Sequence, residues 1–274
     1  MRAYHLLSAL LLLLFGSGAI RAQERMGFAY YDLDRLYDTI PSLFYDDADH
    51  TPQGRLRWNG ERYRAKIDRV AETIDGMAMP LVGLYGVETE AVVRDLAGAS
   101  RRSYCYVHRT LNSLDGMDFA LLYFGDRFFP ERVESGRGYL CVEGLFDGRP
   151  LAVLLVRGER FLAELVGEVR QRCPGVRILC AGKLSAAAAE TAGLEDLLAP
   201  VERRGRGNSY FRGGWRLHDR ILADDSLRAV RADVHLRREW LDERSGTPRP
   251  TYRGSRYVGG AGRYFPLFSY IERR

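Results

Sequence analysis

The sequence predicts one α/β domain, and two observations support that prediction. The 274 residues are 46% hydrophobic and 28% charged, a balance that fits a globular domain and excludes a disordered or fibrous chain. Strand-like and helix-like apolar patterns alternate along the chain, and a run of strands follows. The polar stretches 201–207 and 244–256 are not domain linkers, because apolar segments resume on both sides of each. The domain therefore spans 23–274.

In the first half of the chain, a helix is the clearest element. Tyr63, Ile67, Val70 and Ile74 recur at three- and four-residue spacing and form one buried stripe. Asn59 precedes this stripe as an N-cap, since its side chain can accept a hydrogen bond from the first turn. The predicted elements of this half are strands at 28–33, 81–85, 104–109 and 119–124 and helices at 59–75 and 89–96.

The second half begins with a predicted β-hairpin. Strands at 139–146 and 151–156 flank Asp147 and Gly148, a pair that suits the positive φ angles of a tight turn. A helix at 161–172 ends before Pro174 and Gly175. A strand at 176–180 and a short helical region at 185–189 follow.

The N-terminal segment 1–22 resembles a signal peptide. It has a basic start at Arg2, a short apolar run at 10–15 and small residues after that run, with cleavage near Ala19 or Ala22. The run is short for a membrane span of about 20 residues, which disfavours the alternative of an uncleaved anchor. No cysteine lies at the end of the apolar run, so a lipid-anchored N-terminus is not indicated. We therefore expect a soluble periplasmic or secreted protein without a transmembrane segment in the mature chain.

Charge and cysteine content give no support for nucleic acid or zinc as a ligand. Removal of the two arginines in 1–22 lowers the formal net charge from +5 to +3, which is too weak a balance to indicate nucleic acid. The four cysteines have no C-x-x-C spacing and do not indicate zinc. Cys105 and Cys141 lie in apolar stretches typical of buried thiols. The sequence does not decide whether Cys173 and Cys180 form a disulfide, since export permits disulfides.

No segment carries a catalytic motif by itself. The sequence has no Gly-rich phosphate loop, no nucleophile elbow and no His pair at metal-ligand spacing. After signal cleavage little material remains for His-dependent chemistry: His50, His108, His218 and His235.

Six segments together resemble one family. They are 32–38, 46–54, 58–66, 83–88, 116–123 and 259–266, of which 46–54 reads D-D-A-D-H-T-P-Q-G and 58–66 reads W-N-G-E-R-Y-R-A-K. In this order they resemble landmarks of the endonuclease/exonuclease/phosphatase, or DNase I-like, family in its bacterial exported branch, over about 28–271. The resemblance implies a four-layer α/β sandwich, in which two mixed β-sheets pack face to face and are flanked by helices.

Members of that family are metal-dependent phosphoesterases, and the resemblance implies a site built around one or two Mg²⁺ ions. Asp32 replaces a metal-binding Asn and remains a hard oxygen ligand, and Asp219 matches the Asp that orients the family's catalytic His. The other site positions have lost their functional side chains. They are occupied by Gly86 for Glu, Arg157 and Gly158 for an Asn-His pair, Gly182 and Leu184 for Asp and Asn, and Arg263 and Tyr264 for Asp and His.

The resemblance thus predicts a degenerate site with no confident catalytic residue and no metal cofactor. Arg157, Lys183 and Arg263 would repel a divalent ion, and they define a candidate anion-binding site. We favour the alternative that Arg157 and Arg263 pair with Asp32 and Asp219 and hold the cleft together.

A rebuilt metal site is the rival interpretation. Its oxygen ligands for Mg²⁺ would be Asp32, Glu88, Asp118 and Asp219. Tyr264 is a poor replacement base, since an ordinary tyrosine has a pKa of about 10. We expect His218 outside the pocket, because it adjoins Asp219 and successive strand residues point to opposite faces.

The sequence therefore predicts an inactive, exported relative of the DNase I-like phosphoesterases that acts as a binding or accessory protein. Its partner would be a phosphate-bearing ligand or another protein. The alternative is a Mg²⁺-dependent phosphodiesterase or endonuclease with a rebuilt active site.

Overall fold

The computed structural model describes residues 25–111 and 113–274. The strands of the two main sheets are β1 (Met26–Leu36), β2 (Leu81–Val87), β3 (Tyr104–Arg109), β4 (Asp118–Phe124), β5 (Phe128–Gly136), β6 (Tyr139–Phe146), β7 (Arg149–Arg157), β8 (Arg177–Lys183), β9 (Glu195–Asp196), then β12 (Arg220–Ala223), β13 (Leu227–Val234) and β16 (Leu267–Arg273). Two small hairpins lie between them, β10 (Ser209–Phe211) with β11 (Gly214–Arg216), and β14 (Tyr252–Arg253) with β15 (Arg256–Tyr257).

The helices are α1 (Gly60–Met77), α2 (Glu90–Ala99), α3 (Leu162–Arg172), α4 (Ala186–Thr191) and α5 (Ala199–Arg203), with 3-10 turns at Ala48–His50 and Arg238–Trp240. The signal-peptide prediction for 1–22 lies outside the described residues. Within the described residues, no helix has both the length and the hydropathy needed to cross a bilayer.

Two six-stranded sheets form the centre of the molecule. Their strand orders are β13-β16-β1-β2-β4-β3 and β5-β6-β7-β8-β12-β9. Each sheet is mixed, because β1 pairs in parallel with β2, β7 pairs in parallel with β8, and the other neighbours are antiparallel. Both parallel pairs lie near the middle of their sheets, so their carboxyl ends are placed to form a site at one edge.

The sheets pack face to face and carry helices on their outer faces. A Cβ at Gly83 of β2 would overlap the Leu155 side chain of β7, so the glycine permits close contact between the sheets. The stripe on α1 packs in the core of the first sheet, and α3 packs with Leu154 and Cys180 of the second. The four layers confirm the predicted DNase I-like sandwich.

Most predicted elements are present, and local chemistry explains their ends. The Asn59 side chain accepts a hydrogen bond from Arg62 N at 3.1 Å and caps α1. Asp147 and Gly148 have φ angles of 49° and 75°, as the two central residues of a tight hairpin turn require.

One sequence prediction, the burial of Cys105, is wrong, and the structure settles two details that the sequence left undecided. The stretch 201–207 begins inside α5, and 244–256 contains β14. Cys105 is exposed because its strand β3 lies at a sheet edge. All four cysteines are free thiols, so Cys173 and Cys180 do not form a disulfide.

Candidate functional site

The candidate site lies where the carboxyl ends of β1, β2, β7 and β8 meet. These ends bring Asp32, Gly86, Arg157 and Gly182 to one edge of the sandwich. The loops that precede β12 and β16 complete the cleft with the segments 217–219 and 262–265.

Asp32 is a buried carboxylate at the floor of this cleft. Its Oδ1 accepts a hydrogen bond from Asp34 N at 2.9 Å, and its Oδ2 lies 3.5 Å from Arg157 Nη1. Burial raises the pKa of Asp32 to about 6, although the Asp34 amide and the Arg157 guanidinium favour its charged form. The predicted Arg157–Asp32 pair is therefore present.

After Asp32, strand β1 bulges. Asp34 and Arg35 have positive φ angles of 49° and 64°, which residues with side chains rarely adopt. The buried Lys66 of α1 holds this bulge, since its Nζ donates to the carbonyls of Asp34 at 3.2 Å and Arg35 at 2.8 Å. Burial lowers the pKa of Lys66 to about 8. Lys66 belonged to a landmark segment, but nothing in the sequence indicated this contact.

Arg263 pairs with Asp34 and not with Asp219, which corrects the second ion pair predicted from the sequence. Its Nη2 and Nε donate to the Asp34 carboxylate at 2.7 and 3.0 Å. The bulge makes this pair possible, because it turns the Asp34 side chain toward the loop that precedes β16. Arg263 remains largely exposed.

Gly86 lies in a β2 bulge, at the position where the sequence resemblance places the family's metal-binding Glu. Its φ of +87° favours glycine, and a Cβ there would lie 3.2 Å from Arg35 N and 3.6 Å from Asp32 Oδ1. The β1 bulge therefore packs against the space that a carboxylate side chain would need to leave the backbone.

Gly182, which the sequence resemblance aligns with the family's turn Asp, lies within a continuous strand. Strand β8 runs through Lys183, and Gly182 pairs with Val156 of β7 on one side and Arg220 of β12 on the other. A Cβ at Gly182 would overlap the carbonyl oxygen of Val156, and its φ is +146°. The backbone thus has no room for any side chain at this position.

The sequence resemblance aligns two further positions, Leu184 and Gly158, with site residues of the family. Leu184 is buried in the core between the second sheet and its helices, whereas Gly158 is exposed at the end of β7 with no atom within 4 Å of its Cβ position. Lys183 is exposed at the end of β8. Of the three predicted anion-binding cations, Arg157 and Arg263 each have a carboxylate partner.

Asp219 is buried and is held by Asn208, a residue that the sequence did not indicate. Asn208 Nδ2 donates to Asp219 Oδ2 at 3.0 Å, and Asn208 Oδ1 accepts from His218 N at 2.7 Å. Asp219 Oδ1 has no hydrogen-bond partner. Burial, followed by the nearby Asp32 charge, raises the pKa of Asp219 well above its ordinary value.

His218 lies inside the cleft, which contradicts the prediction that it lies outside. It belongs to a bend before β12 and not to the strand, so the alternation of strand faces does not apply to it. Its ring stacks on Tyr264, and its Nε2 lies 3.8 Å from Asp32 Oδ2. Burial, with the positive charges of Lys183 and Arg157, lowers the pKa of His218 to about 4.

The rebuilt acid set is not brought together. Within the described residues, Asp32, His218 and Asp219 form the cluster that could hold a metal, with one ligand atom from each inside 4.8 Å of the others. Glu88 and Asp118 lie instead beside a second cavity. Asp118 accepts from Leu111 N at 2.8 Å and contacts His108 at 3.2 Å, so it has a structural role.

This second cavity, which we call the rim cavity, has a volume of about 760 Å³. Glu88 lies at its wall, where it accepts hydrogen bonds from Asp38 N at 2.5 Å and Tyr45 Oη at 3.0 Å. The rim carries four strongly exposed apolar side chains: Ile40, Leu43, Phe44 and Leu114.

The fold and the cleft together define a protein of the DNase I-like class. The model of the endonuclease/exonuclease/phosphatase family matches residues 27–165, and the chain belongs to that family. No curated protein matches the sequence.

Solved structures share the fold at low sequence identity. Caenorhabditis elegans TDP2 is 12% identical with a TM-score of 0.61, and the match covers 97% of this chain and 80% of that one. An endonuclease/exonuclease/phosphatase family protein from Bacteroides thetaiotaomicron is 15% identical with a TM-score of 0.59, covering 90% and 97%. A mannosyl-6-phosphatase of the same organism is 15% identical with a TM-score of 0.57, covering 90% and 99%.

The residues of the cleft do not fit the Mg²⁺ that the family typically uses. Mg²⁺ takes oxygen ligands in near-octahedral geometry. Gly86 and Gly182 offer none, Arg157 lies against Asp32, and Asn208 holds one oxygen of Asp219. A unit positive charge about 4 Å from a divalent ion repels it by roughly 8 kcal/mol at an effective dielectric constant of about 20, before solvent screening.

Proposed function

We propose that this chain is an exported, non-hydrolysing member of its family that acts by binding another molecule. The observation that carries the proposal is the backbone at Gly182. The turn that presents two functional side chains in active relatives is here a strand between β7 and β12 with no room for a Cβ. A loss of this kind cannot be reversed by one substitution.

The general base is a second point in favour of a non-hydrolysing role. Burial raises the pKa of Tyr264 to about 12, and the Asp32 charge acts in the same direction. A phenol with this pKa is almost fully protonated at neutral pH and is a poor proton acceptor. His218 is neutral at that pH, but its carboxylate neighbours do not hydrogen-bond to its Nε2.

A protein partner fits the surface better than a phosphate-bearing ligand does. Arg157 and Arg263 are already paired with Asp32 and Asp34, so of the three candidate cations only Lys183 has no carboxylate partner within residues 25–111 and 113–274. The rim cavity, in contrast, exposes Leu43 and Phe44 to 93% of their surface. Clustered apolar exposure of this kind is typical of interaction sites.

The chemistry of the rim cavity specifies the partner's surface. Asp38, Glu88 and Glu90 also line the cavity. The complementary surface is therefore apolar and carries basic residues. Export, which we infer from 1–22, would place this encounter in the periplasm or outside the cell.

A metal-dependent phosphodiesterase with a rebuilt site is the second candidate function. The cluster of Asp32, His218 and Asp219 is the observation that favours it. Hydrolysis of bis(p-nitrophenyl) phosphate with Mg²⁺ or Mn²⁺ separates the two candidates. We expect no turnover above buffer, whereas turnover that Asp32→Ala or Asp219→Ala abolishes would establish the enzyme.

The partner is tested by co-purification of the mature protein expressed in its own compartment. The double variant Leu43→Glu/Phe44→Glu should lose a stoichiometric partner that the wild type retains. Phe129→Glu is the matched control, because Phe129 is also exposed but lies on the edge strand β5, outside the rim cavity. A monodisperse wild-type monomer with no bound protein would contradict the proposal.

A further inference from the structure

Two buried polar atoms of the cleft have no hydrogen-bond partner among the described residues. They are His218 Nε2 and Asp219 Oδ1. Buried polar atoms are almost always paired, so an unpaired couple in one cluster indicates a place for a ligand. Together with an oxygen of Asp32, they supply three donor atoms within 4.8 Å of one another.

The surroundings of these donors fix their orientation. Asn208 holds the other oxygen of Asp219 and the backbone amide of His218, and Tyr264 stacks on the His218 ring. Metal ligands in proteins are oriented by contacts of this type. An imidazole with two carboxylates suits a first-row transition ion better than Mg²⁺.

Arg157 is the group that opposes an ion at this cluster. Its guanidinium lies 3.5 Å from Asp32 Oδ2 and 4.2 Å from the centre of the Tyr85 ring, and its backbone amide donates to Gly138 O at 2.7 Å. The stacking on Tyr85 fixes a charge that cannot be removed by deprotonation.

We propose that Arg157 is the built-in cation of this site and closes a transition-metal site formed by Asp32, His218 and Asp219. The inference rests on the proposed function, because it explains why a non-hydrolysing member would not bind a catalytic metal in this cleft. It adds to that function that the chain retains the three ligands of a transition-metal site, which the Arg157 side chain keeps from binding an ion.

The test is a Co²⁺ titration followed by visible absorption, which reports coordination independently of any activity. Arg157→Met keeps an apolar stem over Tyr85 and removes the charge. Lys183→Met is the matched control, because it removes an equal charge from the cleft without a contact to Asp32. We expect Arg157→Met to bind Co²⁺ at least about 100-fold more tightly than the wild type, and Lys183→Met to bind it no more than about tenfold more tightly, because Lys183 acts on the cluster without a contact to Asp32.

The double variant Arg157→Met/His218→Gln identifies the ligands. It should lose the Co²⁺ absorption band that Arg157→Met gains. Circular dichroism checks the fold, and Arg157→Gln repeats the titration if the methionine variant is unfolded. The inference is overturned if the Arg157 variants bind Co²⁺ no better than Lys183→Met, if the wild type binds as tightly, or if the band survives in the double variant. Phosphodiester turnover by the wild type would refute the proposed function instead, so the two failures are distinguishable.

Discussion

The imidazole of His218 lies against the phenol ring of Tyr264, with ring centroids 4.2 Å apart and an interplanar angle of 18°. Tyr264 occupies the position where the family resemblance places a catalytic His. An imidazole is therefore still present in the cleft, but the residue beside Asp219 supplies it. Its nitrogen Nε2 is buried and unpaired, so it is neither the oriented base of an active relative nor a surface group.

The stacked pair should keep His218 neutral well below pH 6.5. The pKa of His218 is lowered to about 4 by burial first, and then by Lys183, Arg157 and Arg263. NMR titration of the imidazole carbons, with His218→Gln for assignment, measures it. Lys183→Ala should raise this pKa while leaving it below 6.5, because burial is the larger cause. A wild-type pKa at or above 6.5 would contradict the buried position of the ring.

The lowered pKa of His218 also determines the direction in which its contribution to stability changes at acid pH. Between pH 4 and 6.5 the unfolded chain binds a proton at His218 and the folded chain does not, so the contribution of His218 to stability increases with pH across that window. The stability difference between wild type and His218→Gln, measured by urea unfolding, should therefore grow in favour of the wild type from pH 4 to 6.5.

Substitution of Gly182 should be far more costly than substitution of Gly158. Both glycines have positive φ angles at the ends of neighbouring strands, but a Cβ at Gly182 overlaps Val156 O whereas one at Gly158 meets no atom within 4 Å. We expect Gly182→Ala to lower the free energy of unfolding by roughly 3 kcal/mol or more, and Gly158→Ala by about 1 to 2 kcal/mol, the strain of the backbone alone. Urea unfolding measures both. Equal losses would show that β8 is not the continuous strand described above.

Glu88 should make the protein less stable as pH rises through neutrality. Burial raises its pKa from 4.5 to about 7, so the folded chain binds this proton more tightly than the unfolded chain does. The contribution of Glu88 to the free energy of unfolding is therefore largest below about pH 4.5, and it is lost as pH rises through 7. Relative to Glu88→Gln, the wild type should lose on the order of 3 kcal/mol across that window.

Urea unfolding at pH 4.5 and 7.5 tests this prediction. The matched control is Glu90→Gln, since Glu90 lies two residues away and is exposed. Its stability relative to the wild type gives the baseline for an exposed carboxylate at the two pH values. A pH-independent difference for Glu88→Gln would mean that this carboxylate is solvated in the folded protein.

Much of the fold was predictable because local signals and the family resemblance agreed. The α1 stripe with its Asn59 cap and the Asp147-Gly148 turn depend on residues close in sequence, and each is present as predicted. The Arg157–Asp32 pair was also predicted, since both residues lie at strand ends that the family fold brings together.

The errors concern residues whose surroundings depend on irregular backbone. His218 lies in a bend, so strand alternation gave the wrong side for it. The partner of Arg263 is Asp34 because β1 bulges at two residues with positive φ, and neither is a glycine that would have indicated the bulge. Asn208 follows a Gly-rich basic loop, where no sequence pattern distinguishes a buried amide from a solvated one.

The most direct test of the central claim is a calorimetric titration of the mature wild-type protein with Mg²⁺. We expect no binding heat at millimolar Mg²⁺, because Gly86 and Gly182 supply no ligand and Arg157 lies against Asp32. Stoichiometric Mg²⁺ binding that Asp32→Ala abolishes would contradict it and would identify the cleft as a working metal centre.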